Sequence, residues 1–186
     1  MRTWVERPMA GSNDASLDLN QYIRDVPDFP KPGILFKDIT PLLSHHRALR
    51  ESVVRMADLV RDQRIDLVGA AEARGFIFGA PLALELGVGF VPIRKPGKLP
   101  YKRVTQVYEL EYGSDTLEMH SDAVQTGTRI LLVDDVLATG GTMKACCDLV
   151  RSMGADVVAC LFLIELGFLE GRARLNPNPV KSVLSY

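Results

Sequence analysis

Asp134 and Asp135 follow directly on the apolar run Ile130-Leu131-Leu132-Val133, and Thr139-Gly140-Gly141-Thr142 comes shortly after them. Ionised carboxylates accept hydrogen bonds from hydroxyls. A Thr/Gly loop that opens a helix offers an anion hydroxyls and unengaged N–H groups. Gly140 and Gly141 allow the backbone to bend tightly and to come close to a ligand. One ligand satisfies both halves: a sugar whose hydroxyls meet the two carboxylates and whose phosphate lies in the loop. The ordinary structural reading is a strand–loop–helix turn capped by Thr142, with both aspartates solvated. Two adjacent carboxylates at a buried strand end, beside such a loop, argue against it. Neither GxxxxGK[ST] nor GxGxxG occurs. A strand ending in Asp-Asp also marks phosphoryl-accepting receiver domains, but there the pair comes early, and here it follows two-thirds of the chain.

Two further clusters stand where apolar runs end. Glu72-Ala73-Arg74-Gly75 follows Leu67-Val68-Gly69-Ala70-Ala71, and Arg94-Lys95-Pro96-Gly97-Lys98 follows Phe90-Val91-Pro92-Ile93. A cation run is ordinarily a solvated surface. Cations at strand ends next to a phosphate loop suit a polyanion instead.

These residues need elements to position them. From 66 onward short apolar runs alternate with helical patterns: strands over 66–71, 89–94, 129–135 and 156–166, helices over 76–87 and 142–154. Residues 107–112 and 116–121 alternate like two antiparallel strands joined at Gly113 and Ser114. Alternating βα units imply an α/β fold, a parallel sheet flanked by helices, with ligands beyond the C-terminal strand ends. Upstream, 17–26 reads as a short helix stopping before Pro27, 28–43 as a proline-rich loop around a short extended piece, and 46–63 as an amphipathic helix carrying Leu49, Val53, Met56 and Val60. A polar loop with two prolines covers 95–106. A short helix near 170–175 and a last strand over 181–186 close the chain.

The 186 residues fit a single domain over 17–186 behind a polar, flexible tail over 1–16. Met9 is a second candidate start. With 22 basic and 23 acidic residues the net charge is -1, which points to neither a nucleic-acid nor a membrane partner. Cys146, Cys147 and Cys160 form no disulfide framework and read as reduced, buried thiols of a cytoplasmic protein. No apolar run is long enough to span a membrane.

The stretch Leu131-Leu132-Val133-Asp134-Asp135-Val136-Leu137-Ala138-Thr139-Gly140-Gly141-Thr142 resembles the phosphoribosyl pyrophosphate motif of the type I phosphoribosyltransferases. FPKPGILFKDITPLL, EARGFIFGAPLALELG, IRKPGKLP and YELEYG are similar to the adenine-specific branch, over nearly everything from residue 18 onward. The resemblance implies that fold, a mostly parallel sheet with a small hood from about 27–43 and 163–186 and a flexible active-site loop. It implies a homodimer, Mg²⁺ held mainly through the donor and water, and transfer of 5-phosphoribosyl from 5-phosphoribosyl 1-pyrophosphate (PRPP) to adenine.

Residue by residue, Asp134 and Asp135 would take the ribose hydroxyls, and Ala138, Thr139, Gly140, Gly141 and Thr142 the 5-phosphate. Ala73, Arg74, Lys95 and Lys98 would face pyrophosphate, with a cis peptide at Glu72-Ala73 aiming an N–H at it. Many relatives carry Asp-Ser there. Arg94 would reach the partner subunit's site. Leu35, Phe36, Lys37 and Leu166 would contact the base. Glu111 would exchange the base proton, with Tyr112 beside it, under a closing loop over 98–107. Two alternatives stand beside this: another base (hypoxanthine, guanine, xanthine or orotate), or a non-catalytic purine- or PRPP-binding regulator.

Overall fold

The computed structural model of the chain describes residues 17–109 and 114–186. It divides into two compact units, one up to Ala48 and one from Leu49 to Tyr186.

In the first unit a single 3-10 turn, Leu19–Tyr22, is capped by the Asp18 carboxylate, which accepts the Asn20 N–H at 3.0 Å. Strand β1 (Arg24–Pro27) then pairs antiparallel with β2 (Leu35–Asp38). The helix expected over 17–26 is therefore one turn and a strand. Pro27 favours extended backbone at the residue before it, and β2 supplies a partner. Helix α1 (Thr40–Ser44) starts where Asp38 accepts both the N–H and the hydroxyl of Thr40, at 2.9 and 2.6 Å. These bonds and the Arg24 guanidinium lower the Asp38 carboxyl to about 2. Helix α2 (His46–Asp58), most of which belongs to the second unit, ends before the 63 expected, although Val60 stays buried in the turns that follow.

The second unit holds a five-stranded parallel sheet in the order β4-β3-β7-β8-β9: Gly89–Ile93, Leu67–Ala71, Arg129–Leu137, Asp156–Glu165 and Val180–Ser185. Helix α3 (Gly75–Leu86) links β3 to β4, and α4 (Gly141–Ser152) links β7 to β8. The two crossovers run in opposite directions from the β3/β7 pair. Right-handed crossovers therefore put α3 and α4 on opposite faces and open a ligand crevice where β3 and β7 end.

Two strand limits differ from expectation. β7 does not stop at the carboxylates but pairs with β8 as far as Leu137↔Glu165, because the long apolar run of β8 offers a ladder throughout. Arg103–Glu109 forms β5, paired antiparallel with β6 (Ser114–His120), so the last four residues of the expected polar loop, 103–106, are strand. Val104 and Tyr108 pack on the core side of β5, while Thr105 and Val107 are exposed. A short helix α5 (Gly171–Arg174) precedes β9. All three cysteines are free and buried. No described helix is long and apolar enough to cross a membrane.

Candidate active site

The centre of the site is strand β7 and the turn after it. Asp135 is buried, and its Oδ2 lies 2.6 Å from Arg74 Nε at the end of β3. The Asp134 Oδ1 accepts the N–H of Asp135 at 2.9 Å. A side chain at Gly75 would put its Cβ 3.0 Å from that same Asp134 oxygen and 3.1 Å from the Val133 carbonyl, so glycine lets α3 begin directly against the strand. Burial, and then the charge of Asp135, push the Asp134 carboxyl well above its usual range. The pair is thus short of solvent and rich in negative charge, a state that hydroxyl donors or a cation relieve.

Ala138, Thr139, Gly140, Gly141 and Thr142 line an open cavity of about 490 Å³ together with Asp134, Asp135, Arg74 and Arg174. Gly140 caps α4 with φ 79°. The first bond of α4 is Lys144 N–H to Gly140 carbonyl, at 2.9 Å. The N–H groups before it therefore have no partner within the helix and face the loop side, as an anion requires.

The cationic turn after β4 is held by acids on β6. Arg94 and Glu118 exchange backbone hydrogen bonds at 2.9 and 2.7 Å. The buried Glu118 carboxylate also accepts from the Gly97 N–H at 3.1 Å and from Arg103 Nε at 2.8 Å. Arg94 Nε lies 2.8 Å from Glu72 Oε2, so within this chain Arg94 is tied to the β3 turn. Lys95 pairs with Asp115, which also accepts from the Tyr108 hydroxyl at 3.2 Å. Burial opposes the charge on Lys95, but Asp115 and Tyr108 together outweigh it and the ammonium is held above its ordinary value. Lys95 correspondingly holds the Asp115 carboxyl below its own. Burial raises the Tyr108 phenol, while its hydrogen bond with Thr142 of the loop pulls the other way. Tyr108 therefore stands between Asp115 of the hairpin and Thr142 of the loop 138–142.

The remaining expected residues fall as follows. Ala73 and Lys98 are exposed, and the Glu72-Ala73 peptide is cis. Leu35, Phe36 and Lys37 lie on β2 of the first unit. There Phe36 meets Phe29 edge-on at 5.2 Å and Lys37 pairs with Asp25 at 2.7 Å. In the second unit Leu166 donates its N–H to the Leu137 carbonyl at 2.9 Å. Glu111 and Tyr112 lie outside the described residues. Sequence reasoning passed over Asp115, Glu118, Glu165 and Arg174. The first two sit in a strand that looks solvent-facing, and their value depends on partners far along the chain. Among the described residues no group of three or more His, Cys, Asp or Glu could cage a metal.

A family model, the phosphoribosyl transferase domain, matches residues 39–183. The adenine phosphoribosyltransferase of Rhodopirellula baltica is 59% identical over 91% of this chain and 82% of its own. Among solved structures, that of Thermoanaerobacter pseudethanolicus adenine phosphoribosyltransferase superposes with a TM-score of 0.88 at 52% identity, covering 90% of this chain and 98% of its own. The Saccharomyces cerevisiae enzyme, solved with adenine and an imino-altritol bisphosphate, gives 0.83 at 39% identity, covering 89% and 96%.

Proposed function

The chain belongs to the phosphoribosyltransferase family, among the adenine phosphoribosyltransferases, and from that premise we propose that it joins adenine to the 5-phosphoribosyl group of PRPP, releasing AMP and pyrophosphate. The observation that carries this reading is the cavity of β7 and its loop, where two carboxylates short of solvent face an anion cradle and Arg74.

In the proposed reaction a nitrogen of adenine displaces pyrophosphate at the ribose carbon. Asp134 and Asp135 orient the sugar by accepting its hydroxyls, and they stabilise positive charge building on the ring. The loop 138–142 fixes the 5-phosphate. Arg74, Lys95, Lys98 and the Ala73 backbone take the leaving pyrophosphate, with Lys95 exchanging Asp115 for a phosphate oxygen. Glu111 takes the proton lost by the base. The segment 98–107 and the hairpin shield the reacting atoms from water. Mg²⁺, held mainly through the donor and water, would supply neutralisation of the leaving-group charge beside Arg74, Lys95 and Lys98. Leu35, Phe36, Lys37 and Leu166 are proposed base contacts on family membership. Adenine offers a 6-amino donor where hypoxanthine and guanine offer an acceptor, and a mispaired buried polar group costs about 1–3 kcal/mol.

A homodimer, with Arg94 serving the partner's site, belongs to the same proposal. It is supported by α3, whose Leu84 is 83% exposed in line with the exposed Ile77. Pyrophosphate release assayed with adenine against hypoxanthine and guanine tests the whole reading. Release with adenine alone is expected, and no release with any purine overturns it.

A further inference from the structure

We infer that Arg174 binds the 5-phosphate of the donor and of the AMP product, completing a site whose own loop carries no charge. The inference rests on the activity proposed above. Residues 138–142 contain no cation, and the two carboxylates beside them repel an incoming phosphate. The cations nearest the loop are already matched: Arg74 with Asp135, Lys95 with Asp115 and Lys144 with Asp148. Arg174 lines the same cavity and has no acidic partner among the described residues.

Its placement comes from a backbone-to-backbone contact between α5 and the loop. A Cβ added at Gly140 would lie 2.6 Å from the Gly171 carbonyl oxygen, and one added at Gly171 would lie 2.1 Å from the Ala138 carbonyl oxygen. Two glycines therefore let α5 start directly on the phosphate loop. Arg174 stands one turn later on the same side. A Cβ at Gly141 would be 3.5 Å from its Nη1, so the guanidinium lies over the first residues of α4.

The short helix is itself anchored. Arg172 meets the Glu165 carboxylate with two nitrogens, at 2.9 and 2.5 Å, and donates to the Val180 carbonyl at 2.7 Å. Ser182 adds a bond to Glu165 at 2.8 Å. Leu175 is fully buried. The guanidinium is thus an exposed group on a fixed mount, and its planar fork suits two phosphate oxygens at once.

The ligand chemistry is a phosphate monoester dianion, so AMP and adenosine separate the phosphate contact from every other. In Arg174→Ala, AMP affinity and the PRPP KM should each weaken about ten- to a hundredfold, the loss of one charge-assisted bidentate contact. Adenosine affinity and adenine KM should stay within twofold of wild type, and Arg174→Lys should recover part of the AMP affinity. AMP binding should also depend less steeply on salt in the Ala variant. Equal AMP affinity in wild type and a normally melting Arg174→Ala overturns the inference while leaving the proposed reaction standing, as does an equal loss for adenosine. A wild-type chain that binds neither AMP nor PRPP overturns the reaction and the inference together.

Discussion

The loop 138–142 is fixed by backbone packing, whereas the cationic turn and hairpin are fixed by ionised side chains. In the loop, Gly140 and Ala138 both lie against Gly171, and the preceding strand is paired to its last residue. In the turn and hairpin, Arg94, Lys95 and Arg103 each lean on a carboxylate: Glu72, Asp115 and Glu118. The first arrangement is held by backbone contacts that leave no room for a side chain. The second can trade each internal partner for a phosphate oxygen at little cost, because a cation is satisfied either way. A site that must hold one end of a ligand still and release the other end as product benefits from both.

The largest effect that sharpens this contrast is expected at Glu111. Glu111→Gln should lower kcat about 10²–10⁴-fold while the PRPP KM stays within threefold, in steady-state assays. Near-normal kcat would remove the proton-transfer role. Next comes the loop. Gly171→Ala forces a Cβ onto the Ala138 carbonyl and should raise the PRPP KM about a hundredfold, with an overpacking cost of about 1–3 kcal/mol in thermal or urea unfolding. Gly97→Ala is its counterpart in the cationic turn, where a Cβ meets nothing within 4 Å. Only its positive φ is strained, so it should lose about 1 kcal/mol and change the KM less than threefold. Equal damage in the two variants would erase the distinction.

Asp134 and Asp115 should answer pH with opposite signs. Asp134 is raised in the folded state, so between its ordinary value of 3.8 and its folded value the native chain binds more protons, and its contribution to stability falls as pH rises through that window. Asp134→Asn should therefore raise Tm by about 2–4 °C at neutral pH, the shift that ~1 kcal/mol gives in a chain of this size. The same variant should weaken kcat/KM for PRPP about a hundredfold. A lower Tm would show that ionised Asp134 is not the destabilising group.

Asp115 is depressed below 3.8, so its contribution is present above that value and is lost as pH falls through the folded one. The smallest effect is expected here. The pair is 37% and 28% exposed, which limits Asp115→Asn to about 0.5–1 kcal/mol at neutral pH, vanishing in acid, by calorimetry across pH.

Much of this was readable in the sequence, for physical reasons that also explain the gaps. The strand before Asp134 announces itself by four consecutive apolar residues, and the loop by paired glycines between threonines. The extension of β7 past the carboxylates was not readable, since Asp-Asp resembles a strand end until β8 is seen beside it. Arg103 to Gln106 hid in a stretch dominated by cations and prolines, and their strand exists because β6 and α4 are there to pair and pack. Arg174 gave no local signal at all. It sits on a four-residue helix that is near the loop only in space.

The Gly140–Gly171 contact has an evolutionary consequence. Each glycine is required by backbone on the other side of the contact, and neither position can relax by a side-chain adjustment. A lineage that replaced one would have to lift α5 off the loop, taking Arg174 with it. The two positions should therefore drift as a linked unit, invisible as a motif because the residues between them belong to a helix and a strand with other duties.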